Sequence, residues 1–242
     1  MSIKNSVLFE IVATPSGIVD LAGGGFTNTN VGYSGTGVYG GSNRCLTFDA
    51  TTISNTPQCI DLTNPITLSG DFTISFWAYA THNNTNFLNT IGDGNTDDEN
   101  RASISATIGN TDYSFLVLLQ HKADSKTKII MPSIDFGKNK WNHYAITRHD
   151  GEFYFFVNGS TTSQGNFTTS LTTETLVLYA LRIGQASEAS TDRNIHPQYM
   201  DDVCIMNEAL WTSDFDVPTD YVGLVPRSNT NKIINNFRIG SI

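Results

Sequence analysis

The sequence predicts an all-β protein made of many short antiparallel strands. Residues 139–159 indicate a β-hairpin, because Asp150 and Gly151 tolerate positive φ and stand between two strand-like runs. Residues 72–80 alternate between two kinds of side chain with a period of two, which is typical of a strand with two different faces. Only 15% of the 242 residues are charged and 20 are glycine, a composition that suits strands joined by polar turns.

The other elements are predicted in chain order from the same signals. Strands are expected where β-branched and aromatic residues are bounded by Gly, Pro, Asn and Asp. The predicted strands are residues 7–13, 17–22, 31–33, 38–39, 45–49, 58–62, 72–80, 87–91, 102–108, 113–121, 128–134, the two hairpin strands, 176–184 and 199–206. Residues 207–214 are the one segment predicted to be helical, over at most two turns.

Residues 1–226 are predicted to form one domain and residues 227–242 a C-terminal tail. A β-sandwich of this length commonly folds as one unit. The tail carries Arg227, Lys232 and Arg238 without an acidic residue, and its Ile and Phe residues are too few to form a core. Two alternatives follow: a disordered tail, or a docking segment that buries these side chains on a second subunit or a larger particle.

The net charge of −9 restricts the partners. A nucleic-acid binder needs a basic surface to displace counterions, and an anionic membrane repels an acidic protein, so neither partner is expected. Glycans, other proteins and divalent cations are compatible with this charge. No run of 18 apolar residues occurs, and the first ten residues lack the apolar core of a signal peptide. Cys45, Cys59 and Cys204 are an odd number, which favours buried free thiols and synthesis in a reducing cytoplasm.

Five blocks of the sequence resemble, in the same order, the laminin-G-like and concanavalin A-like jelly-roll domains. The hairpin follows the pattern W-x-H-x-A-x-x-R-x-D-G-x-x-x-x-F-V-N-G from Trp141 to Gly159, and the other blocks are residues 44–50, 71–80, 181–184 and 199–211. The resemblance implies an antiparallel two-sheet jelly-roll sandwich of about a dozen strands. This superfamily contains both lectins and glucanases, so the fold alone does not decide the function.

The residue patterns of an enzyme are missing from the sequence. Glucanases of this superfamily carry carboxylates at alternating positions of one strand, so that two carboxyl groups share a face within about 5–10 Å. No such pair occurs, and Asp201 and Asp202 are adjacent residues, which on a regular strand point to opposite faces. Nucleophile-elbow, P-loop and zinc-protease motifs are also missing from the sequence. We therefore predict a non-enzymatic protein.

Trp77 and Tyr79 are the candidate ligand-binding residues. Both share one strand face with Thr73 and Ser75, a mixture that occurs where sugars stack on aromatic rings. The alternative interpretation places Trp77 in the sandwich core.

A calcium site is implied by the resemblance, since loops and strand ends supply oxygen ligands for this ion in related domains. Asp201 matches the family's aspartate on the closing strand, and Asp49 stands at the end of an early strand, so both are candidate ligands. Asp201 has an alternative role, in which it accepts backbone hydrogen bonds from a neighbouring loop.

Three function classes follow from these observations. Residues 208–219 resemble the ending common in phage-encoded jelly-roll domains, which favours a bacteriophage virion structural protein. It would be a decoration, tail or fibre-associated component that contacts a glycan or host surface. Its expected place is the virion surface after synthesis in the host cytoplasm, with other virion proteins, further copies of the chain and surface glycans as partners. The alternative is a stand-alone carbohydrate-binding lectin module, and the third class, a glycoside hydrolase, is disfavoured by the missing carboxylate pair.

Overall fold

The computed structural model describes residues 4–40, 44–48, 58–82, 85–91, 102–108, 115–121, 126–130, 138–165, 176–178, 180–184 and 197–223. Asp49 and the predicted tail lie outside this part of the chain. In chain order the strands are β1 Val7–Thr14, β2 Gly17–Asp20, β3 Phe26–Thr29, β4 Gly32–Gly35, β5 Cys45–Thr47, β6 Cys59–Leu62, β7 Ile66–Leu68, β8 Phe72–Tyr79, β9 Asn86–Ile91, β10 Ala102–Ile108, β11 Phe115–His121, β12 Lys126–Ile130, β13 Trp141–His149, β14 Glu152–Val157, β15 Ser160–Gly165, β16 Leu176–Leu178, β17 Ala180–Ile183 and β18 Tyr199–Met206.

The strands form two large antiparallel sheets that pack face to face. The first has nine strands, in the order β15-β14-β13-β8-β18-β1-β2, with β5 paired to β18 and β4 paired to β5. The second has seven strands, in the order β12-β11-β10-β9-β17-β6-β3, and a short separate pairing joins β16 to β7. The predicted all-β, antiparallel two-sheet jelly-roll sandwich is therefore confirmed.

The main core lies between the two large sheets. Ile74 and Phe76 of β8 point inward from the nine-stranded sheet, and Ile60 and Ile183 point inward from the seven-stranded sheet. Phe76 stacks on Tyr144 of β13 with 5.2 Å between ring centroids. The period of two in β8 thus separates the core-facing residues from those on the outer face.

Two successive tight turns build β13, β14 and β15. Asp150-Gly151 joins the first pair of strands and Asn158-Gly159 joins the second, and all four residues have φ between 48° and 81°. Positive φ at both central residues gives a turn whose twist fits a two-residue hairpin. The hairpin predicted from the sequence is confirmed.

Residues 207–223, here named the covering segment, lie across the outer face of the nine-stranded sheet. Trp211 and Phe215 stack on each other with 4.1 Å between ring centroids, and Phe215 also packs on Phe156 of β14 at 5.2 Å. Leu210 and Trp211 pack against a second, smaller apolar cluster on this face. Phe156, one of the two outward-facing aromatic residues of β14, is therefore covered by the chain itself.

The predicted helix at residues 207–214 is wrong, since this part of the covering segment forms bends and irregular structure without a helix. Its backbone is bonded to a neighbouring strand: Thr73 donates through Oγ1 to the carbonyl oxygen of Glu208 at 2.8 Å and accepts the N–H of Leu210 at 2.9 Å. These tertiary hydrogen bonds satisfy groups that a helix would have paired internally.

Two of the predicted strands also differ from the structure. Residues 38–39 form a turn, closed by the N–H of Gly40 donating to the carbonyl oxygen of Gly37 at 3.0 Å. The predicted strand 176–184 is divided between β16, which pairs with β7, and β17, which belongs to the seven-stranded sheet.

The cysteine prediction is confirmed, because Cys45, Cys59 and Cys204 are all buried and none of them is in a disulfide. Within the described residues, no helix has the length and apolar character needed to cross a membrane.

Candidate functional site

The outer face of the nine-stranded sheet carries the polar and aromatic residues from which a site could be built. Thr73, Ser75, Trp77 and Tyr79 of β8 point outward, and the residues between them fill the core. Strands β13 and β18 pair with β8 on its two sides. Outward-facing residues of the three strands therefore line up in rows across the sheet.

The outermost row is aromatic on all three strands. Tyr79 pairs with Trp141 of β13 and with Tyr199 of β18. The ring centroid of Tyr79 lies 6.0 Å from that of Trp141 and 5.6 Å from that of Tyr199, and the last two are 6.2 Å apart. The Tyr79 ring stands edge-on to both neighbours, whose planes differ by 33°. These three half-buried residues are here named the rim cluster.

Close neighbours hold the rim cluster in position. Gly35 of β4 lies directly against Tyr199, so that a Cβ at this position would be 3.0 Å from the tyrosine ring. Gln198 donates from Nε2 to the hydroxyl oxygen of Tyr199 at 3.1 Å. Rings that are held before a ligand arrives lose less conformational entropy when it binds.

Trp77 and Tyr79, the two ligand-binding candidates, lie in different surroundings. Trp77 is 8% exposed; its Nε1 donates to the hydroxyl oxygen of Tyr39 at 3.1 Å, and its ring lies 5.1 Å from that of His143. It is therefore buried on the outer side of the sheet, under Tyr39, and not in the main core. Tyr79, one row further out, is half-buried and is the better placed of the two to meet a ligand.

Asp201, the candidate calcium ligand, is buried and bonded to the backbone. Its Oδ2 accepts the N–H of Val38 at 3.1 Å, and its Oδ1 accepts the N–H of Asp202 at 2.9 Å. Burial, together with the charge of Asp202, raises the pKa of Asp201 to about 7. Both carboxyl oxygens of Asp201 thus already accept backbone hydrogen bonds. The geometry therefore favours the alternative role, an acceptor that holds the neighbouring loop.

A β-bulge places two adjacent carboxyl groups on the same side of the sheet. The pairing of β18 with β8 shifts register between Asp201 and Cys204, so that two residues of β18 oppose one of β8. Asp202 lies in this bulge and adopts a φ of +47°. Its carboxyl group accepts a hydrogen bond from the hydroxyl of Tyr39, on the outer side. The expectation that Asp201 and Asp202 point to opposite faces is wrong for this reason.

Three carboxyl groups, here named the acid cluster, meet beneath the covering segment. Glu10 of β1 joins Asp201 and Asp202, and each is at most 1% exposed. Burial, with the neighbouring Asp202, raises the pKa of Glu10 to about 8, and burial raises the pKa of Asp202 to about 6. The N–H of Val222 donates to Asp202 at 3.1 Å and that of Gly223 donates to Glu10 at 3.2 Å. Raised carboxyl pKa values are common in catalytic acids, but these groups bind the chain's own backbone.

A Ser–His pair is also buried under the covering segment. Ser75 Oγ lies 3.0 Å from His143 Nε2, which is the separation of a nucleophile and its base. The rings of Trp211 and Phe215 cover His143 at 5.6 and 5.8 Å. Burial lowers the pKa of His143 to about 3, and its Nδ1 has no hydrogen-bond partner. The pair thus lacks both the orienting carboxylate and the access that acyl transfer needs.

At the tip of the first hairpin, His149 lies between two carboxyl groups. Its Nδ1 is 2.7 Å from Asp71 Oδ2, and its Nε2 is 3.5 Å from Asp150 Oδ2. Asp71 Oδ1 also accepts the N–H of Asp150 at 3.0 Å, which ties the residue before β8 to the hairpin turn. Among the described residues, this is the one group of three His, Cys, Asp or Glu side chains close enough to share a metal ion. Because these three residues already bond one another, we interpret the group as a structural clamp that holds the hairpin turn against the residue before β8.

Replacing Asp71 with Asn is expected to lower the pKa of His149. The hydrogen bond to Asp71 is the main cause that raises the pKa of His149 above its ordinary value. Partial burial raises the pKa of Asp71, but hydrogen bonds from His149 and Asp150 outweigh burial and lower it. An NMR titration of the histidine ring protons measures the change. Asp150→Asn is the matched control and should shift the pKa of His149 less, because its oxygen is further away; an unchanged pKa in Asp71→Asn would contradict the clamp.

Trp141 and Tyr199 are members of the rim cluster that the sequence prediction missed. They stand some 60 and 120 positions from Tyr79 in the chain and come together because β8 lies between β13 and β18. Trp141 and Tyr199 begin their strands and Tyr79 ends its own, so antiparallel pairing brings all three to one edge. The available signal was an aromatic residue at each of three strand ends, but the strand order was needed to use it.

Many solved structures share this fold, and three of them are described here. Domain 4 of AbnA, a GH43 extracellular arabinanase from Geobacillus stearothermophilus, in complex with arabinotriose, has a TM-score of 0.56 and 16% identity over 79% of this chain and 87% of that chain. The binding domain of botulinum neurotoxin serotype D/C has a TM-score of 0.59 and 15% identity over 87% of this chain and 50% of that chain. A structure of botulinum neurotoxin type C, whose cell entry depends upon interaction with two ganglioside molecules, has a TM-score of 0.60. Its identity is 14% over 86% of this chain and 49% of that chain. The chain spans about half the length of the two neurotoxin chains, and at these identities the likeness concerns the fold.

Family membership rests on the sequence. No curated protein matches the chain. Residues 54–214 match a family model, Laminin_G_3, described as the Concanavalin A-like lectin/glucanases superfamily. The matched stretch is more than half of the chain and contains β8, the hairpin of β13 and β14, and β18, which together carry the rim cluster. The chain therefore belongs to the concanavalin A-like lectin/glucanases superfamily, as a laminin-G-like domain.

Proposed function

We propose that the chain is a non-enzymatic carbohydrate-binding domain and that the rim cluster is its sugar contact. The main observation behind this proposal is the rim cluster, which places one aromatic ring on each of three adjacent strands and leaves all three rings half-exposed. The next row, which contains Trp77 and His143, is buried by Tyr39 and by the covering segment. The rim cluster lies at the edge of the covered face and belongs to neither hydrophobic core. Exposed aromatic residues in such a position suit ligand recognition.

The chemistry of the rim cluster suits a sugar. Tyr and Trp combine an apolar face, which can pack on the C–H groups of a pyranose ring, with a polar edge that hydrogen-bonds its hydroxyl groups. The three ring centroids lie within 6.2 Å of one another, so the contact has about the width of a single sugar ring. Gln198 and the tyrosine hydroxyls supply polar groups beside it.

The placement of the acidic groups supports binding without hydrolysis. Glycosidases need two accessible carboxyl groups, one of them with a raised pKa. In the described residues, the carboxyl groups with raised pKa values are Glu10, Asp201 and Asp202, and all three are buried. A substrate could reach them only if the covering segment moved away.

A glycan array tests this proposal. Arabinotriose and ganglioside oligosaccharides are the first probes, because structures of similar fold are described with these ligands. We expect selective binding to at least one glycan, with no release of reducing sugar on prolonged incubation. Parallel arrays with calcium and with EDTA show whether glycan binding depends on calcium. An array without any bound glycan would overturn the proposal, and so would release of reducing sugar.

The sequence supports a second, finer proposal about where the domain acts. Residues 208–219 resemble the ending of phage-encoded jelly-roll domains, and none of the three cysteines is in a disulfide. We propose that the chain is made in a host cytoplasm and assembles onto a bacteriophage surface, where it presents its glycan site. Immunogold labelling of purified phage particles with an antibody against the chain is the test. Regular labelling supports the proposal, and unlabelled particles that lack the chain by mass spectrometry would refute it.

A further inference from the structure

The row of the sheet that carries the rim cluster continues beyond Tyr199. Tyr199 pairs with Thr47 of β5, and Thr47 pairs with Gly32 of β4. Leu46 and Phe48, the residues on either side of Thr47, belong to the main core, so Thr47 faces outward as Tyr199 does. A Cβ at Gly32 would lie 3.7 Å from the Cβ of Thr47, which places it on the same outer face. Thr47 and Gly32 are here named the polar strip.

The polar strip forms a low floor beside the three aromatic rings. Gly32 is exposed and Thr47 is half-buried. Among the described residues, a Cβ at Gly32 would meet only Thr47 within 4 Å, so the space above the glycine is open. The bare backbone of a glycine in a strand allows a ligand to approach closely.

Thr47 also offers a hydrogen-bonding group to a ligand. Its Oγ1 accepts the N–H of Gly35 at 3.2 Å and lies 3.5 Å from the carbonyl oxygen of Cys45, to which it donates. A hydroxyl oxygen accepts two hydrogen bonds, so one acceptor position remains. A sugar hydroxyl above the floor could use it.

The described residues leave this direction open to a ligand on the rim cluster and limit two others. On the far side of Trp141 the sheet ends, because the pairing of β13 with β14 begins three residues further along, at Tyr144 and Val157. Toward the middle of the sheet, the next row contains Trp77, which is buried under Tyr39. A ligand longer than one sugar therefore meets uncovered sheet over the polar strip.

We propose that the polar strip is a second sugar subsite and that the ligand is an oligosaccharide lying across the strands. It rests on the proposed function, because the rim cluster holds the first sugar unit. Neighbouring strands are about 4.8 Å apart, so the two strands of the polar strip add about 10 Å of floor. This length accommodates about one or two further units. They bind by hydrogen bonds and close backbone approach, since the polar strip has no aromatic ring on which they could stack.

A series of sugars of increasing length tests the second subsite. Isothermal titration calorimetry is carried out with arabinose, arabinobiose and arabinotriose, and with galactose, lactose and ganglioside oligosaccharides. In the series that binds, we expect the wild-type affinity to rise about tenfold or more from the monosaccharide to the longest member. The monosaccharide contacts the rim cluster alone and gives the reference affinity.

Gly32→Ile is the variant that blocks the polar strip. The φ of Gly32 is not positive, so a β-branched residue fits this strand, and its side chain rises from the floor. The longest sugar is expected to lose about tenfold in affinity, while the monosaccharide keeps its wild-type affinity. Thr27→Ile is the matched control, because it adds the same side chain at an exposed position of β3 in the other sheet. It should leave the whole series unchanged.

Thr47→Val removes the hydroxyl of the polar strip and keeps the shape of the side chain. We expect the affinity gain with length to fall about threefold or more, and Thr47→Ser, which retains the hydroxyl, to restore it. Thermal melting of each variant shows whether it is folded.

The outcomes separate the second subsite from the proposed function. If no sugar of any length binds the wild type, the sugar contact and the second subsite are both refuted. If the monosaccharide and the longest member bind equally well, or Gly32→Ile keeps the wild-type series, the second subsite alone is refuted. An equal loss for the monosaccharide and the longest member in Gly32→Ile would also refute it, because the change would then act on the rim cluster.

Discussion

Trp141→Ala is expected to weaken binding of the array-selected glycan about 30-fold, a loss of about 2 kcal/mol. Aromatic residues at the centre of a contact commonly carry the largest share of its binding energy. Trp141 has the largest ring of the rim cluster and lies within 6.2 Å of its two partners. Isothermal titration calorimetry measures the loss. Because Trp141 lies on the outer face, outside the main core, the variant is expected to remain folded.

Tyr154→Ala is the matched control for this effect. Tyr154 is a half-buried tyrosine on the same face of the sheet, and it pairs with Thr147, six residues along β13 from Trp141. That spacing corresponds to about 20 Å along a strand. The control should bind the glycan with wild-type affinity. Full affinity in Trp141→Ala, or an equal loss in Tyr154→Ala, would contradict a sugar contact at the rim cluster.

Gly159→Ala is expected to lower the free energy of unfolding by about 3–4 kcal/mol. Gly159 has a φ of +78°, and a Cβ at this position would collide with the carbonyl oxygen of Phe215. The N–H of Phe215 donates to the carbonyl oxygen of Gly159 at 2.9 Å, so the collision falls where the covering segment docks on the second hairpin turn. Urea denaturation measures the loss, and proteolysis should cut first within residues 207–223.

Gly40→Ala separates the two causes of this loss. Gly40 has a φ of +80°, but a Cβ there would meet no atom within 4 Å. Its replacement should therefore show the backbone strain alone, about 1–2 kcal/mol. Equal losses in the two variants would mean that the covering segment does not dock tightly at Gly159.

The parts of the fold that depend on local chemistry could be predicted from the sequence. Asp150-Gly151 and Asn158-Gly159 specify tight turns because their residues tolerate positive φ, and the flanking strands then follow. The two faces of β8 follow from its period of two. These features need no knowledge of distant residues.

The features that the sequence prediction missed depend on residues that lie far apart in the chain. No glycine marks the bulge at Asp202 in the sequence. The positive φ of Asp202 is stabilised by hydrogen bonds that its carboxyl group accepts from Tyr39 and Val222. The covering segment forms no helix, and Thr73, more than a hundred residues earlier in the chain, bonds its backbone instead. The rim cluster likewise exists through strand order and pairing register, which local pattern does not determine.

The indole N–H signals of the three tryptophans test the central claim most directly. In a protein labelled with ¹⁵N-tryptophan, Trp141 reports on the rim cluster, Trp77 on the buried row under Tyr39, and Trp211 on the covering segment. On titration with the array-selected glycan, the Trp141 signal is expected to shift with the binding curve while those of Trp77 and Trp211 stay in place. A glycan that binds without moving the Trp141 signal would contradict the assignment of the sugar contact to the rim cluster.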